Sequence, residues 1–138
     1  MPLKDVSLSS FSFSKRERIS SKLTFKRLIS SRTTLFVYPF KCYYLSLEKE
    51  NRPHAVAISV PKRNLKSAVH RNRVKRLVRE SYRLNKQILY RNIPEKSMNM
   101  LFLYVAKEVV SYQTISCSIE KLLGMIVSAQ NMPIHENS

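Results

Sequence analysis

Nine cationic side chains, Lys62, Arg63, Lys66, Arg71, Arg73, Lys75, Arg76, Arg79 and Arg83, fall between Val60 and Arg83, against one acid, Glu80. Guanidinium forks and ammonium groups at that density are suited to gripping phosphate oxygens, Arg bidentately and Lys as a point charge. Spacing decides whether they can act together. A helix beginning near Ser67 turns about 100° per residue, which lines Asn72, Lys75, Arg76, Arg79 and Arg83 along one face. Val74, Leu77, Val78 and Ser81 occupy the opposite face with His70 beside them, and Arg71 and Arg73 lie on the flanks. One side can pack on a core while the other meets a polyanion. Most charge runs are merely solvated, but such helices are usually laced by i,i+4 ion pairs. A single glutamate cannot neutralise this face, so polyanion binding is the better reading.

Composition agrees. The formal charge is +16 over 138 residues, from 25 Lys+Arg against 9 Asp+Glu. Self-repulsion at that level destabilises a compact chain unless a polyanion relieves it, and nucleic acid is the commonest such partner. No membrane partner is expected, because the basic helix lacks the aromatic or leucine-rich face of an interfacial anchor. Enzymatic chemistry by the chain alone is hard to assemble. His54 sits in a turn, His70 on the helix and His135 near the end, and no Ser or Cys has triad neighbours. The thinly spread acids offer neither a Mg²⁺ site nor an acid–base pair. Cys42 and Cys117 match no metal-ligand spacing and read as reduced core or near-core thiols. The single glycine, Gly124, excludes a glycine-rich phosphate loop. With no apolar run of membrane-spanning length and no signal-peptide h-region, the protein is expected to be soluble and cytoplasmic.

Elements must position these cations. The length fits one domain: residues 1–14 read as a flexible Ser-rich lead, 15–130 as the domain and 131–138 as a disordered tail. Lys15–Arg18 forms a basic clamp before a helix over Lys22–Ser30, with apolar spacing from Leu23, Leu28 and Phe25 or Ile29. Leu35–Leu47, broken by Pro39, is one bent strand or two short ones. After a turn at Glu48–Pro53, Ala55–Val60 reads as a strand. Its Val56, Ile58 and Val60 share one face, and small Ala55, Ala57 and Ser59 leave the other open to close approach. Beyond the basic helix, Asn85–Lys96 is a polar connection with a short helical turn ended by Pro94. Met100–Ala106 has the continuous apolar character of a central strand buried on both faces. Thr114 or Ser116 is expected to cap a final helix with Ile119, Leu122, Leu123 and Ile126 as its stripe. The order makes an α+β sandwich with helices packed on one sheet.

Lys62-Arg63-Asn64, followed by the block from Ala68 to Glu80 (AVHRNRVKRLVRE), resembles the signature of the bacterial ribonuclease P protein subunit. That family carries a strand ending in a basic pair, a short loop, and A-x-x-RNR-x-KR-x-x-RE on a helix. Upstream, Lys15–Arg18 followed by Lys22, Phe25, Leu28 and Ile29 is similar to the family's first helix, and the resemblance spans Lys15–Ala129. It implies an αβββαβα two-layer sandwich, like one domain of a ribosomal protein, with a left-handed βαβ crossover. It also implies a division of labour. A large RNA is the catalytic component, holds Mg²⁺ and cleaves precursor tRNA at its mature 5′ end. The protein, an enzyme only as part of that holoenzyme, binds the ribonuclease P RNA and contacts the single-stranded 5′ leader. It carries no catalytic side chain, no stably bound metal and no obligate protein partner.

Carried over by position, Lys62, Arg63, Arg71, Asn72, Arg73, Lys75, Arg76 and Arg79 would meet the catalytic RNA. Phe25, Ile29 and Tyr43, with the basic Lys15, Arg16 and Arg18, would form the leader side. Tyr44 remains the alternative to Tyr43 while the strand register is open, and an aromatic such as Phe25 in a short amphipathic helix is as often core as stacking platform. Two positions depart from the family. Ile29 stands where many members carry a second Phe, and the loop Asn64–Ser67 lacks their glycine. A ribosomal or other structural RNA-binding protein is the alternative function, and the RNR block argues against it.

Overall fold

A computed structural model describes residues 13–48 and 52–131. The remainder, including most of the expected lead and nearly all of the tail, lies outside the described residues. Of the apolar run Met100–Ala106, the part up to Tyr104 lies in β4 (Lys96–Tyr104), which begins earlier than expected and runs through the interior of a four-stranded sheet. Its neighbours are β2 (Phe40–Glu48), antiparallel, and β3 (Ala55–Ser59), parallel, while β1 (Thr34–Val37) lies outside β2, giving the order β1-β2-β4-β3. Both faces of β4 are covered, Met98, Met100, Phe102 and Tyr104 in the main core and Leu101 under Leu28 on the other side, which is why the segment shows no polar alternation. Pro39 divides Leu35–Leu47 into two strands: Val37 pairs with Phe40 across the Tyr38–Pro39 turn, whose peptide bond is cis.

Among the described residues four α-helices accompany the sheet: α1 (Lys22–Ser30), α2 (Ala68–Asn85), α3 (Gln87–Asn92) and α4 (Tyr112–Asn131), with a 3-10 turn at Lys15–Glu17. The order αβββαβα is present, with α3 added between α2 and β4. The period-2 alternation of β2 and β4 sends Cys42, Tyr44, Met98, Met100, Phe102 and Tyr104 into the main core. There they meet Val74, Val78 and Tyr82 of α2 and Ile115, Ile119, Leu122 and Ile126 of α4. The opposite sheet face is far more thinly covered. Leu101 and Ala57 pack under Leu28 of α1, with Ile19, Phe25, Tyr43 and Leu45 partly buried around them.

Several expectations change against these contacts. The connection after α2 holds a true helix, anchored by Leu89 and Ile93, both buried. The final helix begins at Tyr112, and its cap is Ser111: the Ser111 hydroxyl accepts from the Thr114 N–H at 3.1 Å. Three hydroxyl residues in close succession each satisfy the capping rule, and only the packing of the apolar stripe selects among them. Leu23 and Ile29 of α1 are 62% and 46% exposed, leaving Leu28 as its buried anchor. His70 is exposed rather than beside the core. Cys42 is buried, and burial pushes its thiol up to about 12, whereas Cys117 is exposed on α4 and is no core thiol. Phe13, read as part of the lead, packs edge-on against Tyr82 with ring centroids 5.5 Å apart. No helix among the described residues is long and apolar enough to cross a membrane.

Candidate nucleic-acid interface

Helix α2 starts where Ser67 allows it: the Ser67 hydroxyl accepts from the His70 N–H at 3.3 Å, satisfying one of the orphan donors of the first turn. Val74, Val78, Ser81 and Tyr82 are buried against the core, which rotates Asn72, Arg73, Arg76 and Arg79 outward. Arg83, at the far end of the expected basic face, is engaged by Glu80 through Nε and Nη2. Arg71 also has an internal task. Its guanidinium donates to the carbonyls of Leu65 (2.9 Å) and Lys66 (2.8 Å), bracing the loop that enters the helix. That loop is held at its other end by Asn64, which donates to the Tyr104 carbonyl at 2.9 Å and accepts from Lys107 at 3.1 Å. Lys62 and Arg63 stand exposed at its start, so the strand end, the loop and the helix form one braced unit.

A second surface adjoins the first. The N-terminal segment runs along β3: Arg18 bridges Val56 in parallel fashion, and the Ile19 N–H donates to the Val56 carbonyl at 2.9 Å. Between this segment and α2 lies a groove of about 270 Å³, bounded by Phe13 and Arg18 on one wall and Lys75 and Arg79 on the other. Residues Val56, Ala57 and Ile58 form its floor. Lys75 and Arg79, grouped by sequence with the rest of the helix, therefore face a different space from Arg73 and Arg76. Lys15 and Arg16 are exposed on the same segment but do not line the groove.

Strand register settles the tyrosines. Tyr43 pairs with Leu101 and lies on the face covered by α1, half-buried near Phe25 and Leu28, with the Lys41 ammonium 5.1 Å from its ring centroid. Tyr44, 7% exposed, points into the main core. Phe25 and Tyr43 thus lie together on the α1 face of the sheet, while Ile29 is turned largely to solvent. Along that side, Lys26, Arg27, Ser30 and Ser31 of α1 and its cap border a 410 Å³ depression floored by Leu45. Glu17, Glu48 and Glu80 are each paired with a cation, Lys86, Lys96 and Arg83 respectively, so none of the three opposes the cations above.

The family model for ribonuclease P matches residues 13–127, which includes both surfaces. The chain belongs to the ribonuclease P protein family. It is 34% identical over 128 residues to the "Ribonuclease P protein component" of Porphyromonas gingivalis, covering 91% of this chain and 92% of that one. The protein of the same name from Desulforapulum autotrophicum is 36% identical over 85 residues, 62% of this chain and 70% of that one. Solved ribonuclease P proteins share the fold. That of Thermotoga maritima superposes with a TM-score of 0.63 at 23% identity, covering 79% of this chain and 96% of that chain. That of Staphylococcus aureus gives 0.60 at 23% identity, covering 80% and 94%. Within this ribonuclease P protein, sequence reasoning missed Phe13 as a groove wall and Glu17 as a buried residue. Phe13 carried a signal, an aromatic ahead of a basic turn; Glu17 carried the Ser14-x-x-Glu17 spacing of a capping box, realised by the Ser14 N–H donating to its Oε1 at 2.9 Å, but nothing local in KRER marked it as buried.

Proposed function

We propose that this ribonuclease P protein is the basic subunit beside a catalytic RNA, and that it also holds the single-stranded 5′ leader of precursor tRNA during endonucleolytic removal of that leader. The observation that carries the reading is the division of α2. Asn72, Arg73 and Arg76, with Lys62 and Arg63, project outward for the catalytic RNA, while Lys75 and Arg79 turn with Arg18 into the adjoining groove. One helix thereby serves two polyanions and screens their repulsion. Phe25 and Tyr43 supply aromatic surface on the sheet face, where stacking tolerates any base. Lys15 and Arg16 add positive potential at the entrance, and Arg71 acts chiefly by bracing the loop that presents Lys62 and Arg63.

Chemistry belongs to the RNA in this reading. Mg²⁺ is assigned to the RNA in this reading; among the described residues no three His, Cys, Asp or Glu side chains gather where they could hold an ion. Because the contribution is counterion release and screening, the benefit of the protein is greatest at low Mg²⁺ and low salt. The test is cleavage of a precursor tRNA at low Mg²⁺ by bacterial ribonuclease P RNA, with and without the protein. Correct 5′ processing is expected only with both components, and Arg73→Ala/Arg76→Ala is expected to abolish the stimulation. Cleavage by the protein alone would overturn the assignment of chemistry to RNA. No stimulation of a cognate RNA would leave a basic RNA-binding protein of another kind.

A further inference from the structure

Among the described residues ahead of α1 one acid stands among the cations, and it is turned inward: Glu17 is 4% exposed between the exposed Arg16 and Arg18. Its Oε1 accepts from the Ser14 N–H and from Lys86 Nζ, each at 2.9 Å, and its Oε2 accepts from Lys86 Nζ at 2.9 Å and the Tyr90 hydroxyl at 2.8 Å. Lys86, at the junction of α2 and α3, is 3% exposed. The Tyr90 hydroxyl in turn accepts from the His54 N–H at 3.1 Å, and His54 Nδ1 accepts from the Met98 N–H at 2.9 Å. A continuous hydrogen-bonded path therefore joins the segment to α3 and to the starts of β3 and β4. A buried ion pair seldom adds net stability over apolar packing of the same volume, and its best-attested use is to fix a geometry. The geometry at stake here is the wall of the groove. Immediately beyond Glu17, Arg18 is held over the Phe13 ring at 5.2 Å and against Val56, across the groove from Lys75 and Arg79.

We infer that the Glu17–Lys86–Tyr90 cluster sets where the cationic wall of the groove stands, making Glu17 a positioning residue for leader binding that acts through Arg18 and Phe13 without touching RNA. Turning the carboxylate inward also withdraws a negative charge from the surface that meets the leader. The inference rests on the leader reading proposed above, and its test separates the two. Full-length protein is assembled with bacterial ribonuclease P RNA, and KM and kcat are measured for precursor tRNAs carrying a long or a single-nucleotide leader. Glu17→Gln is compared with wild type, together with Glu17→Gln/Lys86→Met, which leaves no unpaired ammonium inside and stays folded if the single variant does not. Affinity for the RNA subunit is expected to stay within about twofold of wild type, because that contact is made by separate residues. The KM advantage of the long leader is expected to fall about tenfold, the weight of a lost charge-assisted contact, with kcat unchanged. A KM advantage in both variants equal to that of wild type overturns the inference and leaves the leader reading standing. Parallel loss of affinity for the RNA subunit also overturns it, since Glu17 would then support the fold in general. Absence of any long-leader advantage in wild type overturns the leader reading itself, and this inference falls with it.

Discussion

At the scale of the residue, Glu17 combines two opposed effects. Burial alone would raise its carboxyl; hydrogen bonds from Lys86, the Ser14 N–H and Tyr90, with the charge of Lys86, outweigh this and hold it below its ordinary value of 4.5. A carboxyl depressed in the folded state contributes stability that is fully present above the unfolded value. That stability is lost as pH falls through the folded one. Glu17→Gln is expected to cost about 3–5 kcal/mol at neutral pH, because it removes the carboxylate charge that faces a buried ammonium. Below the folded value wild-type Glu17 is protonated and has lost the same charge, so the gap between the two proteins should close. Urea midpoints of both at neutral and strongly acidic pH check this, and a gap independent of pH would contradict it. The ion pair was not visible locally. Glu17 lies in a run of cations, and its partner Lys86 is 69 residues away.

Elements differ in how much of their stability is their own. Helix α1 has nine residues, too few to persist alone in water. Its Ser21 cap accepts from the Thr24 N–H at 3.4 Å, and Leu28 is its fully buried side chain, resting on Leu101 and Ala57. Leu28→Ala is therefore expected to cost about 2–5 kcal/mol, read as a lowered thermal or urea midpoint, and to loosen the aromatic face formed by Phe25 and Tyr43. An unchanged midpoint would mean that α1 docks by other contacts. Helix α2 was legible because its signals agree: a Ser cap, an apolar stripe at helical spacing, and cations elsewhere. Helix α3 was legible only as a short helical turn, because its amphipathic pattern sits in a polar stretch and its extent depends on Leu89 and Ile93 finding a core.

For the whole molecule the governing quantity is charge. At +16 the fold carries self-repulsion that bound anions relieve, and three of its cations, Arg18, Lys75 and Arg79, line one groove. Sulfate or phosphate is expected to raise the melting temperature. At ten times its Kd a single bound anion adds about 1.4 kcal/mol, a shift of roughly a few degrees for a domain of this size. Melting curves in sulfate, with chloride at matched ionic strength as control, check this. Equal curves over tens of millimolar would show general screening and no shaped anion site.

The amino-acid sequence determined what depends on neighbours along the chain: the charge, the two-sided pattern of α2 and its Ser67 cap, the doubly buried β4, and the RNR block that marks the family. The tertiary structure decided what depends on residues brought together from afar. Strand register put Tyr43, opposite Leu101, on the α1 face and Tyr44 in the core. The bridge between Arg18 and Val56 created the groove and separated Lys75 and Arg79 from Arg73 and Arg76. Lys86 drew Glu17 inside. Helical and strand periodicity are local properties of the backbone, readable in a window of residues. The choice of which charge is buried and which faces a ligand is made by contacts between distant segments, and no window contains both partners.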